Sequence, residues 1–235
     1  MRFIIVALLS FVSIFAFAAE PLTGEAEAGA IVVSGNSDSE NYNAKSKIVY
    51  QQEKNVYTGF GRYLRATANG LESSKQWELG ARYERELSEK VSTYIGHKAE
   101  GDIYNVYIQR DSSDLGAKYY FIKSDVENWF GEVGYRYSKT NPTAGGNVAE
   151  DSFGRFYSEY NKVLNPTVSF KYWVEYLPNI TVNEAYLANT EASMNVMLTS
   201  VFSLKLAYLM QYQNVPPAGG KNTTTTSTMN LVAKF

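Results

Sequence analysis

Charged side chains recur at every second residue in several stretches of this chain, and they are the first candidates for chemistry. In "WELGARYEREL", Glu78, Arg82 and Glu84 fall on one face of an extended strand, while Trp77 and Leu79 fall on the other. Closely spaced carboxylates of this kind are compatible with a catalytic pair of acidic residues like that of a protease. A hydrated wall of paired charges is the simpler interpretation.

Other catalytic patterns are missing from the sequence. The chain has one His and no Cys, which excludes a conventional zinc site and disulfides. His97 lies in "YIGHKAEG", where the residue two places on is Ala99 rather than Ser, and no Gly-x-Ser-x-Gly motif occurs. We therefore expect no enzyme activity and no cofactor.

The elements that carry these charges are predicted to be strands, because the dominant period is two. "VFSLKLAYLMQY" places Leu204, Leu206 and Tyr208 on one face and Lys205 on the other. The pattern predicts twelve strands, at about 24–34, 40–51, 56–68, 75–87, 91–101, 114–122, 128–139, 151–162, 167–177, 185–198, 201–213 and 224–235. Many reach the roughly 9–11 residues that a membrane-crossing strand needs.

The connections between these strands alternate in length. Short links such as "EKN" and "LNP" alternate with longer ones such as "SGNSDSE", "NGLESSK" and "DIYNVYIQRDSS". Outer-membrane barrels have short turns on the periplasmic side and longer loops outside. We therefore predict an all-β fold, a closed antiparallel up-and-down transmembrane β-barrel of about 12 strands. A soluble lipid-carrying barrel, with its apolar face inward, would give the same alternation.

Composition agrees with one membrane domain. No linker divides the chain, so residues 20–235 are assigned to a single barrel domain. The net charge of −2 points to no nucleic-acid partner. The 19 Tyr, 12 Phe and 3 Trp suit a surface that is apolar in the middle and wet at its edges.

Both ends of the sequence suggest export to the outer membrane of a Gram-negative bacterium. Residues 1–19 have a charged start, an apolar run and an Ala-Phe-Ala cleavage pattern, which predicts a signal peptide; a retained helical anchor is the alternative. The final "TMNLVAKF" is an alternating strand that ends on Phe235. We expect Phe235 to act as a barrel-assembly signal, with the assembly machinery and membrane lipid as partners. The sequence does not indicate an oligomeric state.

The first hairpin, "GEAEAGAIVVSGNSDSENYNAKSKIVY", with its Gly35-Asn36-Ser37 turn, resembles the salt-induced outer membrane proteins, a family of uncharacterised activity. "DLGAKYYF" (114–121) and "GEVGYRYS" (131–138) are similar to two further strands of that family, although Lys118 stands where a second Gly is expected. The resemblance implies an outer-membrane barrel with a link to salt or envelope stress. It carries no catalytic residues.

If the apolar face meets lipid, the polar face lines a lumen. The expected lumen cations are Lys45, Lys47, Arg82, Lys98, Arg136, Arg155, Lys171 and Lys205. The expected lumen carboxylates are Glu78, Glu84, Glu86, Glu100, Glu132, Glu159, Glu175 and Glu191. A one-residue slip of strands five and eight would move Lys98, Glu100, Arg155 and Glu159 outward.

Balanced charge of this kind favours ion pairs across the interior over a strongly selective pore. Twelve strands lie between barrels filled by side chains and barrels with wide channels. The sequence therefore predicts a narrow, weakly selective pore for small solutes or ions. A non-conducting structural or adhesive barrel is the alternative.

Overall fold

A computed structural model describes residues 21–33, 38–105, 107–143, 146–216 and 221–235. These residues form twelve strands, each antiparallel to its neighbours in the chain, and β1 pairs with β12 to close a barrel. The expected signal peptide and the Gly35-Asn36-Ser37 turn lie outside the described residues. Among the described residues, no helix has the length and hydropathy to cross a membrane.

The strands are β1 (Leu22–Val33), β2 (Ser39–Gln52), β3 (Asn55–Ala68), β4 (Leu71–Glu86), β5 (Val91–Asp102), β6 (Tyr107–Lys123), β7 (Glu127–Pro142), β8 (Ala149–Asn165), β9 (Val168–Pro178), β10 (Tyr186–Met197), β11 (Phe202–Gln213) and β12 (Thr223–Lys234). The twelve-strand prediction is confirmed. The largest boundary error is at β6, which begins at Tyr107 rather than near 114. A single 3₁₀ turn, Ile103–Asn105, precedes it.

Two links that the sequence assigned to longer loops are short. Asn69 and Gly70 alone connect β3 to β4, and their φ angles of 51° and 76° are those of a two-residue hairpin turn. Most of "DIYNVYIQRDSS" belongs to β6. The longer links on that side of the barrel are 143–148, 179–185 and 214–222. We call this side the loop end, and the side holding Leu22 and Phe235 the terminal end.

Most of the apolar side chains of the strands point away from the barrel interior, although a few, such as Leu177, are buried inside it. Leu79 is 67% exposed and Leu206 is 46% exposed, whereas Glu132 and Arg155 are buried inside. Bands of contacting aromatic rings lie on the outer surface near each end: Tyr50, Tyr57 and Tyr83 at the terminal end, and Tyr176, Tyr186 and Tyr212 at the loop end. A lipid-carrying barrel with its apolar face inward is therefore the wrong alternative.

The contact between the first and last strands, called the seam below, differs from the other ladders. β1 and β2 pair along their whole length, from Leu22↔Tyr50 to Val33↔Ser39. The seam has four paired rows, from Glu25↔Lys234 to Ala28↔Leu231. Backbone hydrogen bonds between Gly24 and Phe235, 2.8 and 3.0 Å long, extend it to the last residue.

Candidate functional site: the charged lumen

A cluster of arginines and carboxylates fills one side of the lumen, and we call it the arginine cluster. Arg82 on β4 donates two hydrogen bonds to Glu132 on β7, at 3.0 and 2.7 Å. Arg155 on β8 donates to Glu132 at 2.6 Å and to Glu175 on β9 at 2.7 Å. Because β4 and β7 are not adjacent strands, the pairing of Arg82 with Glu132 bridges the curvature of the wall.

The arginine cluster continues towards β6 through Arg136. This guanidinium donates two hydrogen bonds to Asp114, at 2.6 and 2.8 Å, and one of 3.1 Å to Glu175. The side chain of Glu132 is 2% exposed and that of Arg155 is 8% exposed. Charges buried this deeply need partners, and each of these groups has at least two.

Tyr94 on β5 passes across two strands to reach the arginine cluster. Its hydroxyl lies 2.6 Å from the positions that a Cβ would occupy at Gly116 on β6 and at Gly134 on β7. It accepts a 2.8 Å hydrogen bond from Arg155, and the Arg82 guanidinium lies 3.8 Å from the centre of its ring. The two glycines therefore form a groove in the inner wall that only a residue without a side chain allows.

Smaller groups of paired charges lie above and below the arginine cluster. Lys98 donates to Glu78 at 3.1 Å and to Glu100 at 2.9 Å. Lys171 lies 2.8 Å from Glu159. Further pairs are Arg110 with Glu100, Lys118 with Glu84, Lys205 with Glu27, and Lys45 with Glu191.

Open space beside the arginine cluster forms two cavities in the lumen. The loop-end cavity, of about 350 Å³, has Tyr107, Gln213 and Thr224 among its lining residues. The terminal-end cavity, of about 320 Å³, has Lys171 and Lys234 among its lining residues. Glu25 and Lys47 line both cavities, so the two spaces meet at these side chains, which we call the neck.

The expected lumen residues are distributed over the cavities and the arginine cluster, and Arg136 and Glu175 belong to both. The loop-end cavity is lined by Lys45, Lys47, Glu78, Lys98, Glu100, Arg136, Glu175 and Glu191. The terminal-end cavity is lined by Lys47, Glu159, Lys171 and Lys205. Arg82, Glu84, Glu132 and Arg155 lie inside but line neither cavity. Glu86 lies at the terminal-end rim, 3.3 Å from Lys123.

The uncertain registers of strands five and eight are settled by these contacts. Lys98 and Glu100 on β5 and Arg155 and Glu159 on β8 all pair with other lumen charges. Their side chains point inward, as the alternation without a slip predicts.

Sequence reasoning missed several lumen residues. Glu25 and Glu27 alternate with Ala26 and Ala28, a signal that was present in "GEAEAGA". Arg110 was missed because its stretch was assigned to a loop. The role of Tyr94 could not be found from spacing, because it depends on glycines from two neighbouring strands.

The structure also brings a serine to the histidine. His97 Nδ1 lies 2.9 Å from Ser113 Oγ on the outer face, across the β5–β6 ladder, so the search along one strand for a Ser partner was too narrow. A hydrolase site also needs a group that orients the histidine and donors for an oxyanion. No described carboxylate bonds His97, and neither lumen cavity contains this pair. Nor do the described residues group three metal-ligating side chains.

Comparison with known proteins places the chain in a family. Residues 26–235 match the family described as "Protein of unknown function, DUF481". The chain belongs to this family. It is 24% identical over 204 residues to the uncharacterized protein YdiY of Escherichia coli (strain K12), a match that covers 86% of this chain and 78% of that protein.

Solved structures with a similar fold are outer-membrane barrels. The NanC porin superposes with a TM-score of 0.54 at 10% identity, covering 90% of this chain and 97% of its own. The translocator domain of the autotransporter NalP from Neisseria meningitidis gives 0.51 at 11% identity, covering 97% and 93%. At these identities the likeness shows the fold alone: a closed 12-strand barrel of the outer-membrane type.

The structure explains two glycine-containing stretches of this chain. The two stretches quoted above, 114–121 and 131–138, contain Gly116 and Gly134. In this chain both glycines make room for Tyr94. Lys118, which stands where a second glycine was expected, lies 3.1 Å from Glu84 and over the Phe130 ring.

Proposed function

We propose that this chain is an outer-membrane pore of narrow bore, exported to a Gram-negative outer membrane, and that it has no catalytic activity. The terminal end faces the periplasm and the loop end faces the outside. The supporting observation is the pair of lumen cavities that meet at Glu25 and Lys47. Together they give small solutes or ions a wet route past the arginine cluster.

The selectivity of this route is expected to be weak. Most lumen charges are neutralised by a partner within 4.0 Å, so few charges remain to attract one sign of ion. Lys47 differs, because it forms no ion pair within that distance among the described residues, although Glu25 faces it on β1. The neck is therefore where a single charge has the greatest effect on passing ions.

Conductance in planar bilayers tests the proposal. Purified, folded barrel is expected to give small, stable current steps in KCl. Lys47→Glu is expected to shift the permeability ratio towards cations by about tenfold, since two units of charge near a passing ion change its energy by about 1–2 kcal/mol in high dielectric.

Lys54→Glu is the matched control, because Lys54 is exposed in the turn between β2 and β3 and lines neither cavity. It should leave the permeability ratio unchanged. Absence of current from folded protein would reject the pore. An equal shift in both variants would reject the neck as the place where selectivity is set.

A non-conducting structural barrel is the second candidate, and the arginine cluster favours it. The bidentate pair of Arg82 with Glu132 braces the non-adjacent strands β4 and β7, and that of Arg136 with Asp114 ties the adjacent strands β6 and β7. This candidate predicts no resolvable current in the same experiment. A response to salt, which the family resemblance implies, is tested separately by measuring the amount of protein after osmotic shift.

A further inference from the structure

The loop-end half of the seam has no backbone ladder. Pairing between β1 and β12 stops at Ala28↔Leu231, and the same register would continue through Ile31 and Thr228. Beyond that row β1 pairs only with β2 and β12 only with β11 among the described residues. One edge of each strand is therefore left without hydrogen-bond partners, in a wall whose other ladders are long.

The ladder ends beside asparagine side chains whose buried amide oxygens lack hydrogen-bond donors. Side-chain atoms of Asn230 and Asn43 occupy the space where Gly29 would carry a Cβ. Asn230 is 1% exposed and donates to Glu27 at 3.0 Å, yet its Oδ1 accepts no hydrogen bond, and neither do the buried Oδ1 atoms of Asn43 and Asn41. Buried acceptors without donors destabilise this packing, so the closed arrangement is weakly held.

The composition of β12 is unusual along this unpaired edge. Residues 223–228, "TTTTST", put hydroxyls on both faces of the strand, whereas the outward face of β11 carries Leu206, Tyr208 and Met210. Hydroxyl groups can bond to backbone groups that lack a ladder partner. On β1, the consecutive residues Ile31 and Val32 are 49% and 60% exposed, so neither face of the strand is packed there.

The interior behind this edge is amphipathic. A cavity of about 10 Å³ is lined by the apolar residues Leu64, Ala207 and Leu209, by Arg62, and by Lys45 and Glu191, which pair with each other at 3.6 Å. Arg62 makes no ion pair within 4.0 Å among the described residues, and its buried Nε has no acceptor. Apolar side chains beside an unpaired guanidinium match an acyl chain with an anionic head.

We propose that the loop-end half of the seam is a lateral gate through which a fatty acid passes between the lumen and the membrane. The closed cavity is too small for a ligand, so the strands must part, and no ladder hydrogen bond needs to break for them to do so. The gate rests on the membrane location proposed above but not on ion conduction, so a barrel without conductance can still possess it.

Amide hydrogen exchange in phosphatidylcholine nanodiscs tests whether the loop-end half of the seam lacks backbone hydrogen bonds. Alternate amides of residues 223–230 in β12 are expected to exchange much faster than those of 231–234, which lie in the paired rows. Uniformly slow exchange along β12 would overturn the proposal.

A disulfide lock tests passage. The double variant Ile31→Cys/Thr228→Cys closes the gate on oxidation, and Ala26→Cys/Ala233→Cys, already a paired row, is the matched control. The chain has no other Cys, so no other disulfide can form. The probe is palmitic acid with a diazirine in its chain, and the readout is mass-spectrometric identification of labelled residues.

In the reduced protein, label is expected on the inward Leu64 and Leu209 as well as on the outward Leu231. Oxidation of the gate variant should remove the inward label and keep the outward one, while oxidation of the control should change neither. Arg62→Gln should weaken inward labelling by palmitate about tenfold, through loss of a charged hydrogen bond, but not labelling by the matching alcohol. Inward label that is absent, or unaffected by the lock, would overturn the proposal.

Discussion

At the scale of single residues, the contribution of each lumen charge to the fold depends on how buried it is and on how many charged partners it has. Glu132 accepts hydrogen bonds from Arg82 and Arg155 while nearly free of solvent. At the rim, Lys139 and Glu150 lie 3.6 Å apart with about half of each side chain exposed. An ion pair is therefore expected to stabilise the fold when it is buried in the arginine cluster and to contribute little when it is exposed at the rim.

Glu132→Gln should destabilise the folded barrel by about 3–5 kcal/mol, because two buried guanidinium groups lose their shared carboxylate. The measurement is equilibrium unfolding in urea with the barrel in lipid vesicles, followed by tryptophan fluorescence. Glu150→Gln is the control and should cost about 0–1 kcal/mol. Equal effects for the two variants would contradict the role given to the arginine cluster.

Ser113 should not react as a catalytic nucleophile, although it lies beside His97. Nothing described orients the imidazole, so the hydroxyl is not activated. A fluorophosphonate probe is therefore expected to leave Ser113 unlabelled in detergent and in vesicles. Labelling that disappears in His97→Ala would reveal a working pair and would overturn the non-catalytic assignment.

At the scale of elements, nearby strands pack together where a glycine on one strand leaves room for an aromatic side chain from another. Gly116 and Gly134 admit Tyr94 on the inner wall, and Gly24 lies under the ring of Phe235 at the seam. These contacts determine which positions of neighbouring strands can carry large side chains. The alternation of polar and apolar residues does not predict those positions.

Gly116→Ala should destabilise the barrel by about 1–3 kcal/mol, because the new methyl group meets the Val133 carbonyl as well as the Tyr94 hydroxyl. Gly59→Ala, where a Cβ meets nothing within 4 Å, should have little effect. Urea unfolding compares the two. If both variants match the wild type, the inner groove has no structural importance.

Deletion of Phe235 should lower the amount of folded barrel in cells, measured as the heat-modifiable band on gels. It removes two backbone hydrogen bonds to Gly24 and the ring that covers that glycine. Phe235→Ala keeps the backbone bonds and separates the two effects. Refolding into lipid vesicles without other proteins distinguishes the causes: a defect seen only in cells supports an assembly signal, and a defect in both indicates a seam contact.

The sequence predicted elements well wherever alternation was unbroken, as in β11. It failed at the start of β6, because residues 109–114, "QRDSSD", are polar on both faces and therefore show no alternation of polar and apolar residues. Arg110 was missed for the same reason. The pairing of Arg82 with Glu132 could not be predicted, because it joins residues fifty positions apart on non-adjacent strands and depends on the curvature of the closed wall.

At the scale of the whole molecule, the barrel has a braced side and an open side. The arginine cluster ties β4 to β9, whereas the cavities run past the neck formed by β1 and β2. The seam, held firmly only at the terminal end, borders the open side. In the proposed function, stability and transport therefore depend on different parts of one wall.

The central claim is that charged residues face an aqueous interior while the apolar residues between them face lipid. Spin labels at two consecutive positions of β2 test it most directly: Lys47→Cys, in the neck, and Ile48→Cys, 41% exposed on the outer face. In vesicles the label at 47 should be relaxed by a water-soluble nickel chelate, and the label at 48 by oxygen dissolved in the lipid. Equal accessibility at the two positions, or the reverse order, would contradict the account.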